Sequence, residues 1–143
     1  MSRTRCGPHP VGLPDLFLDR SVGRIRVPQL LRAEGLRLVT LAEHYGIPAD
    51  EQVTDVHWLR LVGERRWLAV MKDDRIRYVP AERQALVDYR VRAIVLTNAN
   101  LSAGEMAERI IRSLPSTVDA CDRDDGPFLY AVHATRLEAI SLA

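Results

Sequence analysis

Leu16-Phe17-Leu18-Asp19-Arg20 and Trp67-Leu68-Ala69-Val70-Met71-Lys72-Asp73 share one pattern, an unbroken apolar run that stops abruptly in charge. A strand with one wet face alternates apolar and polar residues. A run that is apolar at every position belongs to a strand covered on both faces, as in a parallel sheet with helices above and below. Both runs therefore predict buried parallel strands, with Asp19 and Asp73 at their carboxyl ends.

Working outward, Pro28 suits the first turn of a helix that Leu30, Leu31 and Ala33 make apolar on one side and Gly35 ends. Leu36, Leu38, Val39 and Leu41 predict a second strand, and residues 42–52, with Gly46 and Pro48, a loop. Thr54 is a good N-cap for a helix carrying Val56, Leu59 and Val62, with Gly63 as its stop, which puts Asp55 in the first turn. Pro80 begins another helix, running to about Asp88. Residues 93–96 read as a further strand, followed through Asn98 and Asn100 by Ser102 and Glu105, a capping box for a helix ending near Leu114. Gly126-Pro127 precedes a last strand over residues 128–133. Strands alternating with helices predict right-handed βαβ units. Residues 1–14, rich in Gly and Pro, read as a flexible leader, and residues 15–143 as one domain.

Ligands in open α/β sheets bind outside the carboxyl ends of the strands. Asp19 and Asp73 fall there, and Asp55 joins them if its helix runs back along the sheet as a crossover helix does. Clustered carboxylates repel unless a cation or proton compensates, and Asp oxygens suit Mg²⁺ or Mn²⁺. Asp74 is a fourth candidate ligand. Each acid also has a structural reading: Asp19 as a cap, Asp55 as a partner of the helix dipole, Asp73-Asp74 as a polar turn. Glu43, shortly after the second strand, is a further candidate but reads better as a solvated loop residue, and His44 on the same expected loop could reach the site. His57, two residues from Asp55, faces another side of its helix, and His133 reads as a packing histidine.

Composition narrows the function further. The 143 residues are 47% hydrophobic, enough for one core, with a formal charge of +1 that argues against a globally basic nucleic-acid binder. Cationic side chains are nearly all arginine, Lys72 being the sole lysine, and Arg20, Arg24, Arg75 and Arg77 flank the first and third acids as candidate phosphate grips. No apolar run nears the ~20 residues of a membrane span, so a cytoplasmic location is expected. Cys6 and Cys121 sit in no metal or disulfide pattern, and no GxSxG elbow, P-loop or GxGxxG fingerprint is present.

Phe17-Leu18-Asp19-Arg20-Ser21, then Leu31-Arg32-Ala33-Glu34-Gly35, then Asp55-Val56-His57-Trp58-Leu59, then Lys72-Asp73-Asp74-Arg75-Ile76-Arg77 resemble, in this order, the PIN-like domain of VapC-type toxin ribonucleases. Pro80-Ala81-Glu82-Arg83 and Gly126-Pro127-Phe128 extend the similarity over roughly residues 16–142. The resemblance implies a three-layer α/β/α fold with a mainly parallel sheet, an acidic Mg²⁺ or Mn²⁺ site formed on Asp19, Asp55 and Asp73, and endonucleolytic cleavage of RNA. It also implies a cognate antitoxin covering the acidic edge, and self-association. Such domains often carry another acid on a helix between the first two; here only Glu43, in the expected loop, is on offer. Two other readings stand beside this one, a PIN-like module that binds protein without catalysis and a phospho-acceptor receiver domain. The latter needs an acidic pair after the first strand, where this chain has Asp19-Arg20-Ser21.

Overall fold

A computed structural model describes residues 9–72, 74–97 and 100–142, with Asp74 and Arg75 described in their backbone only. Six strands form one sheet in the order β2-β1-β3-β4-β5-β6. β1 (Leu16–Leu18), β2 (Leu38–Thr40), β3 (Leu68–Met71), β4 (Arg92–Leu96) and β5 (Phe128–Val132) are parallel, and β6 (Leu137–Ala139) closes the edge antiparallel to β5. The connecting helices are α1 (Arg26–Ala33), α2 (Leu41–Tyr45), α3 (Asp55–Arg65), α4 (Pro80–Asp88), α5 (Ala103–Arg112) and α6 (Leu114–Arg123).

The continuous apolar runs are explained by two cores, one on each face. Leu16, Leu18, Leu68, Val70, Ile94 and Leu96 point to one side, where Leu31 of α1, Ile110 of α5 and Ala120 of α6 meet them. Their neighbours in sequence, Phe17, Ala69, Met71, Ala93 and Val95, point to the other, against Leu59 and Val62 of α3 and Leu86 of α4. This is the expected three-layer α/β/α arrangement, with the period-2 alternation of a strand dividing one apolar run between two cores. Phe17 is held between two indoles, its ring centroid 5.4 Å from that of Trp58 and 5.9 Å from that of Trp67.

β1 is flanked by β2 on one side and β3 on the other, so the first crossover leaves β1 in one direction and the next returns past it. That reversal is a switch point, and its crevice opens beyond the carboxyl ends of β1 and β3.

Several expectations need correction. Residues 42–52 are not a loop throughout: Thr40 caps α2, accepting from Glu43 N at 3.0 Å while the Glu43 carboxylate accepts from Thr40 N at 2.9 Å, and a 3-10 turn follows at Ala49–Gln52. A five-residue helix is too short to reveal itself by periodicity. The second strand is correspondingly shorter than residues 36–41. α6 and β6 were not anticipated; β6 is mostly exposed and α6 follows α5 almost without a break, behind Pro115. Packing also begins before Asp15. His9 is buried, its Nε2 donating to Leu13 O at 2.9 Å and its Nδ1 accepting from Arg37 N at 2.9 Å, and Leu13 joins the core. The remainder of the expected leader, with Cys6, lies outside the described residues; Cys121 is buried in the first core.

Gly63 does not stop α3, which runs to Arg65 with Arg66 in the left-handed region at φ 56°. Its lack of a side chain serves packing instead: a Cβ there would run into Tyr89, lying 2.8 Å from the Tyr89 Cβ and closer still to its carbonyl oxygen. Gly63→Ala would gain up to about 1 kcal/mol of helix propensity but overpack the α3–α4 contact at a cost of about 1–3 kcal/mol. We expect net destabilisation in urea with an unchanged m-value; a variant as stable as the parent would show that α3 and α4 can separate freely.

Candidate active site

Asp19 leaves β1 in an extended conformation, its N–H donating to Val70 O of β3 at 3.2 Å. It caps the 3-10 turn Arg20–Val22, and its Oδ1 accepts from Ser21 N at 3.1 Å and from the Ser21 hydroxyl. Ser21 Oγ in turn accepts from Lys72 N at 2.9 Å. One serine thus fixes the orientation of the carboxylate and ties the end of β1 to the end of β3.

Asp55 opens α3, whose N-cap Thr54 accepts from His57 N at 3.2 Å. α3 leads back to the start of β3, so its N-terminus lies at the carboxyl edge, as expected of a crossover helix. The Trp58 indole N–H donates to Asp55 Oδ1 at 2.9 Å, and Trp58 is itself 1% exposed in the second core. The carboxylate is therefore aimed by a side chain that cannot move without disturbing the packing.

Both acids line one cavity of about 120 Å³, together with Ser21, Trp58, Met71 and Glu82. Asp19 is 9% exposed and its carboxyl is pushed up from 3.8 to about 7; burial contributes most and the Asp55 charge adds, against the Ser21 hydrogen bonds and Arg20. A buried carboxyl beside a second carboxylate fits a hard divalent cation, which would be held by oxygen ligands and water. Among the described residues no three His, Cys, Asp or Glu side chains gather closely enough to hold a metal ion. Asp73 lies outside the described residues, as does the Asp74 side chain.

Of the candidate cations, Arg20 spends its guanidinium on the fold, donating to Asp50 O at 3.0 Å and Val53 O at 2.6 Å. Arg24 lies 3.8 Å from Asp50 Oδ2. Arg77 covers the ring of Tyr78 at 4.9 Å and lines a separate cleft with Arg83, while the Arg75 side chain is not described. Glu43 stands on α2, where a two-pronged pair with Arg32, at 2.7 and 3.0 Å, occupies its carboxylate. His44 packs edge-on against Tyr45 and Trp67, His57 against Tyr45, and His133 pairs with Glu138 at 2.8 Å.

Glu82 escaped the sequence reading. An acid in the first turn of a helix reads as a dipole partner. The signal that could have found it is topological: α4 begins the crossover after β3, so its first turn returns to the edge that holds Asp19.

Residues 14–98 match the family model of a PIN-like domain. The chain belongs to that family. It is also 38% identical over 125 residues, 87% of this chain and 90% of the relative, to a protein of Mycobacterium tuberculosis (strain ATCC 25618 / H37Rv) named "Putative ribonuclease VapC45". No solved structure matches it. Membership sets aside the receiver-type alternative and agrees with the parallel sheet and switch-point crevice of this PIN-like domain.

The position of Asp19 has a consequence for stability. With the folded carboxyl raised to about 7 and the unfolded one near 3.8, the stability owed to the protonated form is full below about pH 4 and is lost as pH rises to about 7. In EDTA, Asp19→Asn should melt several degrees above the parent at pH 7.5, with the gap shrinking by pH 5. Equal gaps at both pH values would mean that Asp19 is ionised in the folded protein throughout.

Proposed function

We propose that this PIN-like domain is a divalent-metal-dependent endoribonuclease and the toxin of a toxin–antitoxin pair, acting in the cytoplasm. The observation that carries the proposal is the pair Asp19 and Asp55, each oriented by its own hydrogen bond and sharing one cavity at the switch point. The name of the mycobacterial relative supports ribonuclease chemistry over a binding module of the same fold.

In this reading Asp19, Asp55, Asp73 and Asp74 would hold Mg²⁺ or Mn²⁺, which would supply electrophilic activation of the scissile phosphodiester. The chain's own groups prepare the place. Ser21 and Trp58 fix two carboxylates before substrate arrives, which removes reorganisation from the reaction. Glu82 adds a third negative wall to the cavity, favouring a cation there over the bare phosphate. Arg24, with its side chain 54% exposed, is the described candidate free enough to meet a flanking phosphate. Hydrolysis joins a water oxygen to phosphorus as the bond to one sugar oxygen breaks, and the displaced oxygen takes up a proton. RNA is the substrate, an antitoxin protein the partner that covers the acidic edge, and self-association an accompanying state.

No described helix is long and apolar enough to cross a membrane. The decisive experiment is cleavage of an end-labelled RNA pool with Mg²⁺, with Mn²⁺ and with EDTA. Cleavage should require the metal and fall on the order of 100-fold or more in Asp19→Asn, Asp55→Asn and Asp73→Asn, each keeping size and removing charge. A folded protein that neither cleaves RNA nor binds Mn²⁺ by calorimetry would instead be a non-catalytic binding module.

Asp55 also offers a separate check on orientation. Trp58→Phe retains most of the buried ring but removes the indole donor to Asp55. We expect about a 10-fold loss of cleavage, largely recovered at raised Mn²⁺ concentration, because a misaimed ligand weakens metal binding without abolishing it. A loss that metal does not relieve would assign Trp58 to packing alone.

A further inference from the structure

A second, larger cavity of about 560 Å³ adjoins the acidic one and shares Asp19 and Arg20 with it. Its walls are mixed: Leu18, Leu41 and Ala42 are apolar, while Arg24 and Asp50 are charged. Asp50 is the informative residue. It is 7% exposed, and among the described residues its Oδ1 is buried without a hydrogen-bond partner while its Oδ2 has Arg24 at 3.8 Å, beyond hydrogen-bond length. Buried carboxylate oxygens almost always accept hydrogen bonds, because leaving one bare forfeits its hydration with no return.

The local backbone does not need this carboxylate. Arg20 holds the turn Ala49–Gln52 through the carbonyls of Asp50 and Val53, and Asp50 N donates to Gly46 O at 2.8 Å. A side chain that caps nothing, on a turn held by other groups and in the wall of a cavity, is an acceptor that a ligand's donor satisfies once the carboxylate turns its sealed Oδ1 toward it.

That ligand must bring N–H groups, have flat apolar faces for Leu41 and Ala42, fit a cavity of small-molecule size, and lie one nucleotide from a phosphate in the acidic cavity. A nucleobase meets all four demands, and unstacked RNA bases are commonly read along their pairing edge. Guanine alone offers two adjacent donors there, N1–H and N2–H, matching the two oxygens of a carboxylate. Adenine and cytosine pair one amino donor with a ring-nitrogen acceptor that the second oxygen repels. Uracil's single N–H lies between two carbonyls.

We propose that this cavity binds the guanine base next to the scissile phosphate and that Asp50 reads its pairing edge. The proposal rests on the ribonuclease reading for its biological use. On base binding, Arg24 exchanges the Asp50 carboxylate for the nucleotide's phosphate.

The test has two arms. Calorimetry of the full chain in EDTA with 5′-GMP, AMP, CMP and UMP should favour GMP by about 10-fold or more, and Asp50→Asn, which keeps shape but turns one acceptor into a donor, should erase that preference. Cleavage of RNAs that differ only at one guanine should show the same preference in the parent, with Asp50→Asn cutting guanine sites about 10-fold less and other sites within about twofold. Ala42→Leu, which adds bulk inside the cavity without touching the carboxylate, guards against misfolding of the first variant and should weaken GMP binding and cleavage at guanine sites; melting curves check both.

Selective GMP binding without RNA cleavage would uphold the base pocket and remove the nuclease reading. Cleavage with no guanine preference and no selective binding would overturn the pocket and leave the nuclease reading intact. Selective GMP binding beside cleavage that ignores guanine would also overturn the proposal, since it would mark a site for free nucleotide.

Discussion

Everything at the carboxyl edge follows from the burial of one carboxyl group, that of Asp19. The strand before it is fully covered on both faces, so the chain has no route to solvent at its last residue and carries the acid into the crevice between β1 and β3. There desolvation opposes ionisation and the neighbouring Asp55 opposes it further. A fold built only for stability would place an amide or an apolar group at this point. The two cores, meeting on β1 through Leu16 and Leu18 on one face and Phe17 on the other, offset the unfavourable local electrostatics.

The groups that aim the acids belong to the framework itself. Ser21 both orients Asp19 and joins β1 to β3 through the Lys72 amide. Trp58 both orients Asp55 and stacks on Phe17, the central residue of β1. The geometry of the crevice is therefore as rigid as the sheet, and a change in either core reaches the site through at most one side chain. That coupling suits a site whose carboxylates must be held together against their repulsion.

How much of this was legible depends on the range over which each signal acts. β1, β3 and the capping box at Ser102 are local patterns, and they were read correctly together with the positions of Asp19 and Asp55, which a strand end and a helix cap mark directly. α2, at five residues, spans little more than one helical turn, and β6 is mostly exposed, so neither carries a pattern. The arginines were conspicuous in number, but their assignments are tertiary: the carbonyls that Arg20 binds lie 30 and 33 residues away in sequence. Asp50 and Glu82 were missed for the same reason. Nothing near Asp50 announces that its carboxylate is buried, and nothing near Glu82 announces which helix ends converge.

The two cavities divide the labour of the crevice between different parts of the chain. The acidic one is framed by β1, the start of α3 and the start of α4, elements whose positions are dictated by the sheet. The larger one is walled on its outer side by the stretch from Thr40 to Glu51, whose backbone is fixed by Arg20, by the Thr40–Glu43 capping box and by the Arg32–Glu43 pair. Arg20 and Thr40 line the cavity while anchoring that backbone, and Ala42 and Asp50 beside them contribute no side chain to the anchoring. Substitution there leaves the acidic cavity in place while changing what can sit beside it. Within this architecture the paired acids stand on elements the sheet fixes, while the wall of the neighbouring cavity belongs to a segment that the sheet only supports.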